Sequence, residues 1–554
     1  MDENFKFHIE EKDYVNFSKT DLTKEIDNFP VVYLIHNDEK MYVGETSNIY
    51  SRVKAHQKDL IKQESQFKKI KVISSNEFNK SATYEIETKL LEYMLADEKY
   101  ILINTKLTQN AHEYYQKSKY QNEIFVPLWE KLKEIHLAKN SLRDIENKEI
   151  FKYSPFKSFS SEQQYIVEDI LRRVNDEDKS TSLINGEPGT GKTLLLIKIA
   201  HDLIFNSGHD PKEMSKRITI VLPQKGLHKI YKRIFKRLGI NNKDMIITGT
   251  HISKIPRDIL LIDEAHRLKK YFSKQSKDLK HLRDGNDNYI DELELAYKNS
   301  KHLIICYDKD QTIRPADIDH NDRLHKILNE STYNLTTQFR ISLGRSYLTL
   351  IKNILQIDYS EKLEKFELGD YEFKIFDSVE ELHAKIKEKN NEYGLSRIAS
   401  GYSWFWESNP ASKRNRNKQN HEYGYDIVDN NYKLRWNSNI TDWVHSKNAI
   451  EEVGSIHTLQ GVDLNYIGVI IGDDITYNTN TRKIEAVKSN YYDEKGKPVK
   501  GTDKNDEELT KYIKNIYYVL LTRGIRGTYI YFKDQNMREH FKKIMNEFVE
   551  WLQM

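Results

Sequence analysis

The chain has 554 residues, too many for one compact core, so three or four domains are expected. Hydrophobic residues make up 38% and charged residues 31%, and Lys+Arg (87) nearly balance Asp+Glu (84), so net charge alone announces no polyanionic partner and any basic surface must come from local segregation. The lone cysteine, Cys306, excludes an internal disulfide and a cysteine-rich zinc site, while the Met1-Asp2-Glu3-Asn4 start and the absence of a long apolar run predict a cytoplasmic protein with no membrane partner.

In chain order, Val31–Ile35 and Met41–Val43 read as two strands around a polar turn at Asn37–Lys40. Asn48 is a good N-cap, so a helix should follow it, and Glu85–Leu95 carries another helical pattern. Residues 113–147 read as a charged helical connector. From Ser154 onward, apolar runs at 182–184, 218–222, 259–262 and 303–305 alternate with helical stretches, the pattern of a doubly wound parallel sheet. A second α/β set begins near Asn334, with strands expected at 469–471 and 528–532. Charged stretches at 269–287, 413–418 and 493–508 read as surface insertions, the first and third as solvated faces.

The most specific signal is Gly186-Glu187-Pro188-Gly189-Thr190-Gly191-Lys192-Thr193, a complete GxxxxGKT between a strand and a helix. Gly186, Gly189 and Gly191 let the loop wrap phosphates with its backbone N–H groups. Lys192 supplies charge to the β/γ-phosphates, and the Thr193 hydroxyl is placed for Mg²⁺. Its partner is Ile259-Leu260-Leu261-Ile262-Asp263-Glu264, an apolar strand ending in two carboxylates. Asp263 is the candidate Mg²⁺ ligand, and Glu264 the group that deprotonates the attacking water.

From here the sequence resembles the superfamily-one helicases. The resemblance implies that Gln163, in Phe159-Ser160-Ser161-Glu162-Gln163, reads adenine, and that Val221-Leu222-Pro223-Gln224 contacts a nucleic-acid strand. In Asp308-Lys309-Asp310-Gln311 it implies that Gln311 senses the γ-phosphate. It makes Arg340 of Gln338-Phe339-Arg340, and Arg523 of Tyr518–Gly524, the arginine fingers of the second lobe. Gln460 and Gly461 fall in Ile456–Asp463, similar to an H-x-x-Q-G-x-E motif but with Asp463 where many relatives carry Glu. Gly401-Tyr402-Ser403-Trp404, Leu434-Arg435-Trp436-Asn437 and Gly468–Gly472 resemble the schlafen-like branch of these helicases.

The N-terminal unit carries a second constellation: Tyr33 and Tyr42 on paired strands, Arg52 and His56 at i, i+4 on one helix, and Glu87 on the next. Such a set suits phosphodiester cleavage, in which a carboxylate holds Mg²⁺, an arginine neutralises the phosphate and a tyrosine or histidine helps activate water. It resembles the GIY-YIG endonucleases over about residues 28–106, with Val31-Val32-Tyr33 in place of Gly-Ile-Tyr. The resemblance implies Tyr33 and Tyr42 as paired tyrosines, Arg52 on the phosphate, His56 as accessory acid or base, Glu87 as the metal ligand and Asn104 as a structural or phosphate-facing amide. Glu85 and Glu92 remain rivals of Glu87 by position.

The expected architecture is α/β: a small GIY-YIG nuclease domain (1–110), a helical connector (111–150), and two RecA-like parallel-sheet lobes (151–333 and 334–554). The expected function is ATP-dependent translocation or unwinding of nucleic acid, DNA with a single-stranded tract, coupled to Mg²⁺-dependent cleavage in defence or repair. Aromatics at Tyr402–Trp406 and the basic run Lys413–Arg416 are candidates for gripping the strand, with core packing an equal alternative for Trp404 and Trp406. A nucleotide-gated switch, an RNA-directed motor and a catalytically dead nuclease domain stay open, as does a second copy or another protein as partner.

Overall fold

The computed structural model describes residues 7–23, 26–59, 66–104, 117–223, 225–254, 257–270, 283–284, 288–318, 331–341, 343–359, 362–409, 424–437, 443–459, 461–498 and 505–550. They fall into two compact units, one of residues 1–178, 193–219 and 228–246, the other of 179–192, 220–227 and 247–554. Among the described residues no helix is long and apolar enough to cross a membrane.

The first unit holds a five-stranded sheet in the order His8–Asp13, Lys69–Ser74, Val31–His36, Lys40–Thr46, Ile101–Leu102. The expected hairpin is present: Asn37 Oδ1 accepts from the Glu39 and Lys40 N–H groups, which fixes the turn. Register sets Tyr33 opposite Gly44, so Tyr42 is its diagonal neighbour on the same face. Helix Ile49–Lys58 starts where Asn48 accepts from Ser51 N, and helix Lys80–Asp97 where Asn79 accepts from Ala82 N. The stretch expected as a charged connector contributes a core of its own. Trp129 is fully buried with its Nε1 donating to Asn140 O, and Tyr93 packs on Phe125, Trp129 and Phe151.

The second unit contains two largely parallel sheets. In one, Thr332–Leu335, Ser180–Gly186, Ser300–Tyr307 and Arg257–Ile262 are adjacent in that order, so the strand leading to Asp308 lies between the P-loop strand and the Asp263 strand. The other runs Glu372–Phe376, Gly524–Phe532, Leu464–Ile471, Arg397–Ser400, Glu452–Ser455, Tyr432–Trp436, Ile427–Asp429, and only the last pair is antiparallel. Parallel strands bury both faces, which explains their near-continuous apolar runs.

Two stretches expected to be solvated are anchored where they are described. Asp493 is buried and accepts from Arg314 Nε at 2.9 Å, and Lys269 Nζ pairs with the fully buried Asp317 at 2.5 Å. In each pair a half-buried base meets a buried acid, whose charge would not be stable alone in a low-dielectric interior.

Candidate functional site

In the second unit the P-loop has the backbone that its glycines allow, with φ of 86° at Gly189 and 84° at Gly191. Lys192 Nζ donates to Gly186 O at 2.6 Å and Glu187 O at 3.0 Å and lies 3.4 Å from Asp308 Oδ2. Asp308 Oδ2 also accepts from Gln311 Nε2 at 2.7 Å, and Gln311 Oε1 accepts from Arg523 Nη2 at 3.3 Å. One hydrogen-bonded line thus connects the loop ammonium to a guanidinium from the other sheet.

Arg340 reaches the same place. Gln338 Nε2 donates to Pro188 O, and Phe339 N donates to Gly189 O at 3.0 Å. A Cβ on Gly189 would lie 2.1 Å from Gln338 Oε1 and 2.7 Å from Arg340 Cβ, so this glycine also makes room for the neighbouring segment. Arg340 Nη1 donates to Thr522 O at 3.2 Å, and its Nε lies 2.5 Å from Asp463 Oδ1. Beside the loop opens a cavity of about 330 Å³, lined among others by Gly186, Glu187, Asp308, Arg345 and Lys352. Lys352 pairs there with Glu187 and with Asp310.

Asp263 and Glu264 are both buried, Asp263 Oδ1 accepting from Glu264 N at 3.0 Å. Glu264 has left-handed backbone (φ 51°), a costly conformation for a non-glycine residue. Its Oε2 lies 3.0 Å from His266 Nε2. Burial raises the Glu264 carboxyl, but the charges of His266, Lys192 and Arg523 outweigh it and hold the group below the ordinary carboxylate range. The carboxylate is therefore ionised near neutrality, the state a proton acceptor needs. Gly461 has a φ of 76°, and Gln460 lies outside the described residues, as do Gln224 and the basic run 413–416.

Thr193 and Gln163 belong to the first unit. Gln163 closes a capping box on helix Ser161–Asp176: its N–H donates to Ser160 Oγ, and its Oε1 accepts from Ser160 N, both at 3.2 Å. Its side-chain oxygen therefore has a structural task.

The first unit gathers the other cluster. Arg52 Nε donates to the Tyr33 hydroxyl oxygen at 3.3 Å, and that oxygen lies 2.7 Å from His56 Nε2. Burial raises the Tyr33 hydroxyl well above its ordinary value, Tyr42 adds to the shift, and Arg52 opposes it. Tyr33 thus stays a phenol able to donate to His56. The Tyr33 and Tyr42 rings are 6.1 Å apart, and Tyr42 lies 4.8 Å from the His56 ring. A Cβ on Gly44 would sit 2.4 Å from the Tyr33 oxygen and 2.9 Å from Tyr42 Cε1, so glycine here is a condition of the pairing. The Glu87 charge acts on both tyrosines. By contrast, Glu85 accepts from Gln121 Nε2 and Glu92 pairs with Lys157. Asn104 donates to Val43 O at 2.7 Å and accepts from Val43 N at 3.0 Å, so its amide extends the sheet.

Among the described residues no group of three or more His, Cys, Asp or Glu gathers as a metal nest. Single carboxylates fit Mg²⁺, which keeps several waters and takes few protein ligands.

The model of the schlafen group 3 DNA/RNA helicase domain matches residues 179–534, more than half of the chain. The chain belongs to the schlafen group 3 helicase family. The GIY-YIG catalytic domain model matches residues 29–101, so this schlafen helicase carries a GIY-YIG domain at its N-terminal side. It is similar to the uncharacterized protein YPL245W of Saccharomyces cerevisiae, 28% identical over 393 residues, covering 64% of this chain and 82% of the yeast protein. Two solved structures resemble it loosely. The PRRSV helicase is 12% identical with a TM-score of 0.29, covering 65% of this chain and 54% of that one. Arterivirus nonstructural protein 10 (helicase) with DNA is 11% identical with a TM-score of 0.29, covering 68% and 66%. The chain spans about half to two thirds of the length of these viral helicases, and at such scores the likeness carries no argument.

Several residues of this cluster carry no motif role of their own. Asp308, which joins Lys192 to Gln311, opens the Asp308–Gln311 run, and its charge is the local signal for it. His266 stands two residues after Glu264, at the end of the same apolar-strand motif, whereas Lys352 beside Glu187 was not legible, since that contact is made by folding. In the aromatic run, Trp406 donates to Trp436 O at 2.8 Å and packs on its ring, while Phe405 is 62% exposed.

Proposed function

We propose that this protein is an ATP-driven nucleic-acid translocase or helicase whose N-terminal domain cleaves phosphodiester bonds with Mg²⁺. In this reading the nuclease spans residues 1–110, a connector 111–150, and the two motor lobes 151–333 and 334–554. The observation that supports it most is the line from Lys192 through Asp308 and Gln311 to Arg523, with Arg340 against the same loop. A triphosphate between these groups is gripped by an ammonium from one sheet and guanidinium groups from the other. Glu264 takes a proton from the attacking water, while Asp263 beside it is the residue of this unit that would hold Mg²⁺. Held there, Mg²⁺ would supply neutralisation of phosphate charge. Loss of the γ-phosphate removes the charge that joins the lobes, and their reopening becomes a step along a strand.

In the nuclease, Arg52 neutralises the scissile phosphate and the cluster of Tyr33, Tyr42 and His56 helps a water attack phosphorus, the water's proton passing to the His56 imidazole while the sugar oxygen leaves and is protonated by solvent. Glu87 is the carboxylate for Mg²⁺, which supplies Lewis acidity at the phosphate. DNA is the preferred substrate in this reading, with destruction of foreign DNA or repair as the setting.

The deciding experiment measures ATP hydrolysis by the full chain with single-stranded DNA, with single-stranded RNA and with neither. Stimulation by DNA supports the motor on DNA, and stimulation by RNA alone moves the substrate to RNA. Hydrolysis indifferent to both makes the chain a nucleotide switch.

A further inference from the structure

Between Glu213 and Asp244 the sequence has no carboxylate, in a chain whose acids and bases otherwise nearly balance. Helix Lys225–Arg237 lies in this stretch. Leu227, Ile230, Tyr231, Ile234 and Phe235 are buried, whereas Lys229, Lys232, Arg233 and Lys236 are exposed. Spacings of three, four and seven residues put these cations on one face, a stripe about 10 Å long at ~1.5 Å per residue.

More positive charge converges on the stripe from elsewhere in the same unit. Glu98, the C-cap of the helix that carries Glu87, is forked by Arg233, with Nε donating to Oε1 at 3.0 Å and Nη2 to Oε2 at 2.5 Å. Arg237 Nε stands 4.0 Å from the same carboxylate. Burial pushes the Glu98 carboxyl up, but Arg233, Lys148 and Arg237 outweigh it and hold it low. Lys148 donates to Ala96 O at 3.0 Å, and it feels the charges of Lys139 and Arg233. Cations from the connector and from this helix therefore surround one carboxylate, and Asp97 beside it is fully buried, its oxygens accepting from Lys139 N and Asn140.

We propose that this face is a docking surface for the phosphate backbone of duplex DNA. The inference rests on the nucleic-acid reading above and deepens it by naming a place and a form of the polymer. The helix's aromatic residues, Tyr231 and Phe235, are buried, so the face has no platform on which the bases of a single strand could stack. Its exposed positions, Lys229, Lys232, Arg233 and Lys236, carry no hydroxyl or amide to recognise the 2′-OH of duplex RNA. What remains is charge on a rigid stripe, which suits closely spaced phosphates. Through Glu98 the stripe is tied to the helix bearing Glu87, so bound duplex lies on the same unit as the tyrosine pair.

The test is equilibrium binding of a short labelled duplex DNA to the full chain, in EDTA and without nucleotide, across a salt series. Removing Lys229, Lys232 and Lys236 together (each to Ala) should weaken binding and lower the slope of log affinity against log salt by ~0.9 per lost contact, about 2.7 in all. A control with Lys298, Lys301 and Lys374 each changed to Ala should leave the slope unchanged. An unaltered slope in the first variant, an equal loss in the control, or a loss confined to single-stranded DNA or duplex RNA overturns the proposal. Wild-type protein that binds no nucleic acid sinks the wider nucleic-acid reading along with it, whereas tight wild-type binding with an indifferent variant sinks this inference alone. All three substitutions are at exposed helix positions where Ala favours the helix, and an unchanged unfolding temperature verifies folding.

Discussion

Arg340 Nε and Asp463 Oδ1 stand 2.5 Å apart, an ion pair joining the Gln338-Phe339-Arg340 segment to the residue that ends the Ile456–Asp463 motif. Asp463, the shorter of the two acids, is long enough for this ion pair. Thr522 O accepts from the same guanidinium, so the arginine is aimed from two sides. Asp463→Ala should leave nucleotide binding nearly intact and lower ATP turnover by about tenfold, ~1.4 kcal/mol of transition-state stabilisation. Steady-state hydrolysis beside a fluorescent-nucleotide titration checks this, and unchanged turnover removes Asp463 from the machinery.

Lys192→Ala should abolish ATP hydrolysis, because the P-loop ammonium has no substitute among its neighbours Gly186 O, Glu187 O and Asp308. Glu264→Gln should retain nucleotide binding and lose ~10²-fold or more of turnover. Persistent hydrolysis in the first variant would show that another site turns over the nucleotide.

Gly44→Ala puts a methyl group 2.4 Å from the Tyr33 oxygen, so the two tyrosines must separate. Displacement of about an ångström costs roughly 10²-fold in rate. Mg²⁺-dependent cleavage should fall accordingly while ATP hydrolysis persists. Glu87→Ala and Arg52→Ala should give the same separation of activities, and cleavage at the wild-type rate in either variant refutes the nuclease assignment.

Asp474 is fully buried, and burial raises its carboxyl from 3.8 to about 7 against the lowering effect of hydrogen bonds from Tyr517 and Ser403. Between these values the folded protein binds a proton that the unfolded chain has released. Stability from this group is therefore present at low pH and lost as pH rises through about 7, with a slope of up to ~1.4 kcal/mol per pH unit. Asp474→Asn, which stays neutral, should flatten that slope in urea midpoints measured at about pH 5 and about pH 8. Parallel curves for the two proteins would show that Asp474 does not titrate in this window.

Much of the nuclease hairpin was legible because its signals are local. Asn48 caps the helix it was expected to cap, and the Asn37–Lys40 turn lies where turn-forming residues cluster. The capping role of Gln163 is legible too, since Ser160 stands three residues before it. The two-sided bond of Asn104 with Val43 was not legible, because it joins residues far apart in sequence. The engagement of Glu85 by Gln121 and of Glu92 by Lys157 was likewise not legible, because these partners come from elsewhere in the unit.

By itself the sequence determined the phosphate loop, its strand-to-helix setting, the apolar strands around it, two strands of the other sheet and the order of the motifs along the chain. These follow from spacing and periodicity within a few residues, where backbone geometry leaves little choice. Only the tertiary structure decided that Lys192, Asp308, Gln311 and Arg523 form one line, that Asp463 reaches Arg340, and that Glu98 ties the Glu87 helix to a basic stripe. Such contacts join residues that are remote along the chain, and they exist only because packing fixes strand register and helix face together.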